Sequence, residues 1–228
     1  MAANHMDMTC DIAIVGCGVA GLYAALTAPA STKIVMLSKG ALDECDSMLA
    51  QGGICVLPEA EDYDSFFEDT LHAGHGENRR ESVDIMIRSS RAVINDLIAL
   101  GAEFEREEDG SLAFTREGAH ARARIAFHAD VTGKEITEAL LAAVKRLPNV
   151  RVLEHVAMVD LLFDAHEGGG ADADGAPACT GVLALPVTAA SSTATIEELR
   201  AVAGVGESLD AAPADLECCL LYTSPSPR

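Results

Sequence analysis

Two groups of residues in this sequence have the types and spacing to do chemistry. The first is Gly16-Cys17-Gly18-Val19-Ala20-Gly21, three glycines spaced G-x-G-x-x-G. In such a run the first glycine permits a tight turn, the second lets a pyrophosphate approach the backbone, and the third lets a helix pack closely on a strand. The helix N-terminus behind the turn offers N–H groups and the positive end of its dipole to phosphates. The second group is Thr115-Arg116-Glu117-Gly118-Ala119-His120-Ala121-Arg122-Ala123-Arg124, with several cationic or potentially cationic side chains around one carboxylate. Planar arginine donors in that array suit a small dicarboxylate, and the same residues equally suit a surface ion-pair cluster.

The elements that must position the first group are legible on either side of it. Asp11-Ile-Ala-Ile-Val-Gly16 is a short apolar run of the kind that forms a buried parallel strand. Val19 to Ala28 reads as a helix stopped by Pro29, and Lys33-Ile-Val-Met-Leu37 as a second buried strand. This βαβ context makes Gly16 to Gly21 a dinucleotide fingerprint holding an ADP moiety. The acidic residue expected some 20 positions on to bind a ribose is missing, and Ser38-Lys39 stands at the end of the second strand instead. Ser38 can bond a ribose hydroxyl, while Lys39 can neutralise a phosphate, including the 2′-phosphate of NADP. Further on, Gly52-Gly53 is either a plain turn or a second backbone approach to the same ligand.

Around the second group the sequence predicts packing elements. Phe66, Phe67, Thr70 and Leu71 recur at helical spacing in Asp62 to Ala73. A longer helix is expected from Arg80 to Leu100, with Val83, Met86, Ile87, Ile94, Leu97 and Ile98 on one face and Gly101 as its stop. Thr132-Gly-Lys-Glu135 has the form of a capping box, opening a helix whose stripe of Ile136, Ala139, Leu140, Ala143, Val144 and Leu147 ends at Pro148. Strands follow at Val150 to Leu153, Val156 to Phe163 and Gly181 to Val187, with an acidic, glycine-rich loop from His166 to Pro177 between the last two. A short helix is expected around Ile196 to Val202, and Cys218 to Arg228 fits no element.

Composition narrows the function classes. With 16 Lys and Arg against 36 Asp and Glu, the formal charge of −20 repels nucleic-acid backbones and anionic lipid headgroups. Neither a nucleic-acid nor a membrane partner is expected. Seven cysteines, odd in number and without C-x-x-C spacing, argue against a disulfide framework or zinc site and for a reducing cytoplasm. The apolar run Ile12 to Ala30 has no preceding Lys or Arg and is broken by glycines, unlike a signal sequence or membrane span. His72, His75 and His128 form no metal-ligand pattern, so no metal is expected.

Taken in order, Gly16 to Gly21, Leu37-Ser-Lys39, Ala50-Gln-Gly-Gly53, Thr115-Arg-Glu-Gly118 with His120, and His128-Ala-Asp-Val-Thr-Gly133 resemble the succinate dehydrogenase and fumarate reductase flavoprotein family, in its L-aspartate oxidase branch. The likeness runs from Asp11 to Asp164. It implies FAD, contacted by Gly16, Cys17, Gly18, Val19, Ala20, Gly21, Ser38, Lys39, Asp46, Ser47, Ala50, Gln51, Gly52 and Gly53. Asp46 stands where respiratory members carry the histidine that bonds covalently to the flavin, so the resemblance implies noncovalent FAD. It also implies that Glu117 faces the substrate and orients its amino group, with Arg116 and His120 beside it. The reaction implied is oxidation of L-aspartate to iminoaspartate, the first step of de novo NAD biosynthesis. Oxygen or fumarate would be the acceptor, and quinolinate synthase a partner that receives the imine.

The expected fold class is α/β, a Rossmann-like FAD-binding domain in which a parallel sheet with flanking helices carries a small β-meander. Residues 1–187 are expected to be the N-terminal portion of that domain, with the βαβ unit at 11–39. Residues 188–228 read as a low-complexity segment with a non-native tail resembling sequencing-adapter read-through. Family chains are more than twice as long, so the resemblance implies an inactive fragment without the capping and C-terminal domains. A soluble fumarate reductase or succinate dehydrogenase flavoprotein is the second enzyme reading, and a non-catalytic dinucleotide-binding module the third.

Overall fold

The computed structural model describes residues 8–163 and 179–187, together with the backbone of 219–222. In chain order the elements are β1 (Ile12–Val15), α1 (Val19–Thr27), β2 (Ile34–Leu37), α2 (Asp46–Leu49), β3 (Ile54–Cys55), a 3₁₀ turn (Ala60–Asp62), α3 (Tyr63–Ala73), α4 (Arg80–Leu100), β4 (Ile125–Ala126), α5 (Thr132–Val144), β5 (Val150–Leu153), β6 (Val156–Phe163), β7 (Cys179–Pro186) and β8 (Cys219–Tyr222). They divide into two compact units, Met1–Cys45 with Val144–Arg228, and Asp46–Ala143.

The first unit is a parallel sheet in the order β5-β2-β1-β8. β1 pairs with β2 from Ile12↔Ile34 to Val15↔Leu37, and β2 pairs with β5 from Ile34↔Val150 to Leu37↔Leu153. Parallel strands need a crossover, and α1 supplies it, burying Gly21, Leu22 and Ala25. β6 and β7 form a separate antiparallel hairpin with register shifts between Met158 and Asp160 and between Leu162 and Phe163. Its inner face buries Ala157, Val159 and Val187 with Leu183 and Leu185 packed against them. The βαβ unit, the later strands and the α/β fold class thus match the expectation, with β7 beginning at Cys179.

One expectation in this unit is corrected. Cys219-Leu-Leu-Tyr222, expected to fit no element, forms β8 and pairs parallel with β1 from Ile12↔Cys219 to Val15↔Tyr222. A four-residue apolar run is all that an outer parallel strand of this length requires. The loop expected at His166 to Pro177 and the helix expected around Ile196 to Val202 lie outside the described residues.

The second unit is built on α3 and α4. Phe66 and Leu71 from α3 meet Val83 and Ile87 from α4, with Cys55, Leu57, Tyr63 and Phe67 packed around them. α4 ends as glycine predicts: Gly101 adopts φ 109°, and the N–H groups of Gly101 and Ala102 donate to the carbonyls of Ile98 and Leu97. Met86, placed by periodicity on the buried face, is instead 47% exposed, because that face narrows to Val83, Ile87, Ile94 and Leu97. The capping box at Thr132 is also absent. Thr132 Oγ1 accepts from the N–H of His128 at 3.0 Å, while Glu135 Oε1 accepts from the N–H of Glu103 at 2.8 Å. Both side chains tie the preceding loops to α5, so tertiary partners displace the local cap.

Candidate functional site

In the first unit the glycine run lies at the carboxyl ends of the parallel strands, where α/β sheets take their ligands. Gly16 adopts φ 104°, a left-handed conformation that a side chain would strain, and its N–H donates to the Leu37 carbonyl at 2.8 Å. That bond sets the turn against the end of β2, where Ser38 and Lys39 follow. Gly18 caps α1 in an extended conformation with no side-chain cap, and the first turn of α1 contains no acidic residue. Gly21 is required by packing, since a Cβ there would stand 2.2 Å from the Gly16 carbonyl oxygen and 3.2 Å from Ile14 Cγ2. An uncapped helix end behind a glycine turn is a fit for a pyrophosphate.

The other residues of this group divide by exposure. Ser38 is buried and its backbone is spent on the sheet, the N–H donating to Leu153 and the carbonyl accepting from Val156. Lys39 and Ala20 are exposed, and Val19 is half-buried. Cys17 faces inward, and burial, together with Cys45 and Glu154 nearby, pushes its thiol up to about 12. A thiol so raised stays protonated at neutral pH and is a poor nucleophile, so Cys17 is a packing residue within the motif.

In the second unit, Asp46 and Ser47 begin the short α2, and Ala50, Gln51 and Gly52 form an exposed turn leading into β3. A segment expected at the flavin and a residue expected at the substrate converge there: a Cβ on Gly52 would stand 3.6 Å from Glu117 Oε2. Gly53 is explained by the sheet, because its Cβ would lie 2.4 Å from the Ala126 carbonyl oxygen of β4. Gly133, the last residue of the His128 to Gly133 motif, does similar work. A Cβ there would lie 2.3 Å from the Ser47 carbonyl oxygen, and its N–H donates to the Ala50 carbonyl at 3.0 Å. The start of α5 therefore sets the position of the 47–50 turn.

The Arg and His cluster is not the open cationic array that its sequence suggests. Arg116 and Glu117 are exposed, but Arg124 is completely buried and forms ion pairs with Asp62 at 2.7 Å and Asp69 at 2.6 Å. Arg122 leans on Asp62 at 3.4 Å. Two of the cations are thus committed to carboxylates of the 3₁₀ turn and α3. His120 Nδ1 lies 3.0 Å from Arg124 Nη1, its Nε2 lies 3.3 Å from Cys55 Sγ, and its ring meets Phe66 edge-on at 5.9 Å. Burial, opposed by Arg124 and reinforced by Glu117, pushes the Cys55 thiol up. The left-handed backbone of Ala119 (φ 68°) and Ala129 (φ 43°) costs roughly 1–2 kcal/mol each. Ala119 carries that strain beside His120, where chemistry is expected.

Sequence reasoning missed the roles of Asp62, Asp69 and Cys55. A signal existed for the first two, since Asp62, Ser65, Phe66 and Asp69 fall at i, i+3, i+4 and i+7, placing acids on an apolar helix face. Burial opposes the charge of Asp69, but the Ala121 N–H and Arg124 hold its carboxyl below the usual range. A depressed carboxylate stabilises the fold above its ordinary value of 3.8 and loses that contribution as pH falls through the lower folded value. The stability gap between the protein and its Asp69→Asn variant should therefore hold steady from neutral pH down to that region and close below it. Urea midpoints measured across pH check this, and a gap that does not change with pH counts against it.

Comparison with known proteins identifies the family. The FAD binding domain family matches residues 11–214. The chain belongs to that family. The FAD-binding domain is 49% identical over 156 residues to an L-aspartate oxidase of Clostridium perfringens, covering 68% of this chain and 35% of the relative. It is 42% identical over 168 residues to that of Clostridium acetobutylicum, covering 74% and 39%. Among solved structures it is similar to E. coli quinol fumarate reductase FrdA, with a TM-score of 0.70 and 26% identity, covering 78% of this chain and 29% of that one. The domain thus spans little more than a third of the length of these two oxidases. The cofactor of this domain is FAD.

Among the described residues, no helix is long and apolar enough to cross a membrane, and no group of three His, Cys, Asp or Glu could hold a metal ion. Among the described residues, Cys10, Cys17, Cys45, Cys55 and Cys179 form no disulfide.

Proposed function

We propose that this domain belongs to an FAD-dependent L-aspartate oxidase, a cytoplasmic enzyme forming iminoaspartate for NAD biosynthesis with oxygen or fumarate as acceptor. The observation that carries this reading is the convergence of Glu117 on Gly52, set beside the 49% identity to an aspartate oxidase. Gly16 to Gly21, Ser38 and Lys39 hold the ADP portion of FAD, and Asp46, Ser47, Ala50, Gln51, Gly52 and Gly53 contact the cofactor from their own segment. Asp46 has no ring nitrogen to bond to the flavin, which supports noncovalent FAD. When bound, the flavin would accept a hydride from the substrate, which carries both electrons of the oxidation.

The residues of this chain bind and orient. Glu117 is exposed and attracts an ammonium group, which aspartate has and succinate lacks. Arg116 is an exposed planar donor suited to a carboxylate. Iminoaspartate hydrolyses readily, so direct receipt by quinolinate synthase is the partner reading that fits the product. A fumarate reductase is the second reading, favoured by the fold likeness to FrdA. The discriminating experiment is Glu117→Gln in the full-length enzyme. Loss of a charged hydrogen bond should lower aspartate turnover roughly tenfold or more and fumarate reduction much less; equal losses count against aspartate as substrate.

A further inference from the structure

Arg124 is the one charged side chain with no exposed surface among the described residues, and its guanidinium is fully spent. Nε donates to Asp62 Oδ2 at 2.7 Å, and Nη2 donates to Asp62 Oδ1 at 2.9 Å and to Ser65 Oγ at 3.1 Å. Nη1 donates to Asp69 Oδ2 at 2.6 Å and faces His120 Nδ1 at 3.0 Å. An arginine has five N–H donors and no acceptor, so these contacts account for every hydrogen. The last of them leaves His120 Nδ1 a single role, that of acceptor. Asp69 fixes the same loop a second time by accepting from the Ala121 N–H at 2.7 Å.

An imidazole whose Nδ1 accepts carries its hydrogen on Nε2. That N–H points at Cys55 Sγ, 3.3 Å away, and sulfur is a weak acceptor from which a carboxylate oxygen would readily take the bond. We propose that Arg124 is a positioning residue that locks His120 as the Nε2–H tautomer, so that His120 serves the site as a hydrogen-bond donor to an anionic substrate oxygen and not as a base. The assignment rests on the oxidase reading for its substrate, but the tautomer stands on the contacts alone. It also gives the cationic sequence run a division of labour, in which the buried arginine orients and the histidine donates.

Nitrogen NMR of the 15N-histidine-labelled chain tests the lock without any turnover, with the His120 signals assigned from a His120→Gln spectrum. A pyrrole-type Nε2 with a pyridine-type Nδ1 is expected; a hydrogen on Nδ1, on both nitrogens, or exchanging between them overturns the proposal. Cys55→Ala should leave the pattern unchanged, and a switch of tautomer there would mean that Cys55 sets it. Arg124→Lys, where it folds, should release the ring into a mixture, and an unmoved tautomer in the folded variant counts against Arg124 as the lock. In the full-length flavoenzyme, His120→Gln keeps an amide N–H near the Nε2 position and should retain kcat within roughly tenfold while raising KM. His120→Ala should lose considerably more, and equal loss in both variants overturns the donor role. A full-length enzyme inactive on aspartate, with the tautomer intact, would sink the oxidase reading alone.

Discussion

Replacing Gly21 by alanine is expected to cost the protein roughly a hundredfold or more in FAD affinity, read as loss of visible flavin absorbance on purification and titration. The added Cβ would stand 2.2 Å from the Gly16 carbonyl oxygen, inside any tolerable contact, and 3.2 Å from Ile14 Cγ2. Ile14 is only 1% exposed in the strand beneath and has little room to move. The contact atom is backbone, so relief requires α1 to lift from β1 or the turn at Gly16 to open. Either movement displaces the N–H groups proposed to face the pyrophosphate, and a displacement of that kind would weaken every bond to the phosphates together. Overpacking of this kind also costs about 1–3 kcal/mol of stability, so flavin binding should fall further than the unfolding midpoint does. An alanine variant that keeps its flavin at the original affinity would remove the glycine turn from the binding site.

The second large effect is expected from Arg124→Met. Methionine retains an apolar stem near Phe66, whose ring centroid lies 4.9 Å from the guanidinium carbon, but it leaves Asp62 only the exposed Arg122 at 3.4 Å and Asp69 only the Ala121 N–H. Asp62 is 3% exposed, too enclosed for water to replace the lost donors. Breaking a buried pair from one side costs about 3–5 kcal/mol, a large share of the about 5–15 kcal/mol that holds a typical domain. Urea unfolding followed by circular dichroism measures it. Arg88→Met, at the exposed pair of Arg88 and Asp84 on α4, should leave the midpoint unchanged. Replacing Asp62, Asp69 and Arg124 together by apolar residues should recover much of the loss, because the cost lies in enclosed carboxylates that have lost their main donor. A midpoint shift as small as that of Arg88→Met would show the network to be peripheral.

Most of the first unit was legible because its signals are local. Three glycines between an apolar run and a helical period dictate strand, turn and helix within a few residues, and Gly16 needs its positive φ whatever surrounds it. The stop of α4 at Gly101 is local in the same sense. Met86 shows the limit of periodicity: the spacing placed it near the apolar stripe, but only the packed partner defines how wide the buried face is. Thr132 and Glu135 show another, since a local cap competes with tertiary donors and here the N–H groups of His128 and Glu103 win.

By itself the sequence determined the βαβ unit, the glycine turn between its first strand and helix, and the family to which the chain belongs. Each rests on backbone sterics or residue order, which need no knowledge of distant partners. Tertiary structure alone decided the fate of the Thr115 to Arg124 run. Arg124 meets Asp62 and Asp69 across separations of 62 and 55 residues, and burial turned what read as a substrate-gripping cation into a fixed internal support. It likewise gave Gly53 to strand pairing and brought Glu117 to Gly52. A charge has the same letter in the sequence whether it faces water or two carboxylates, and only the fold determines which of these it meets.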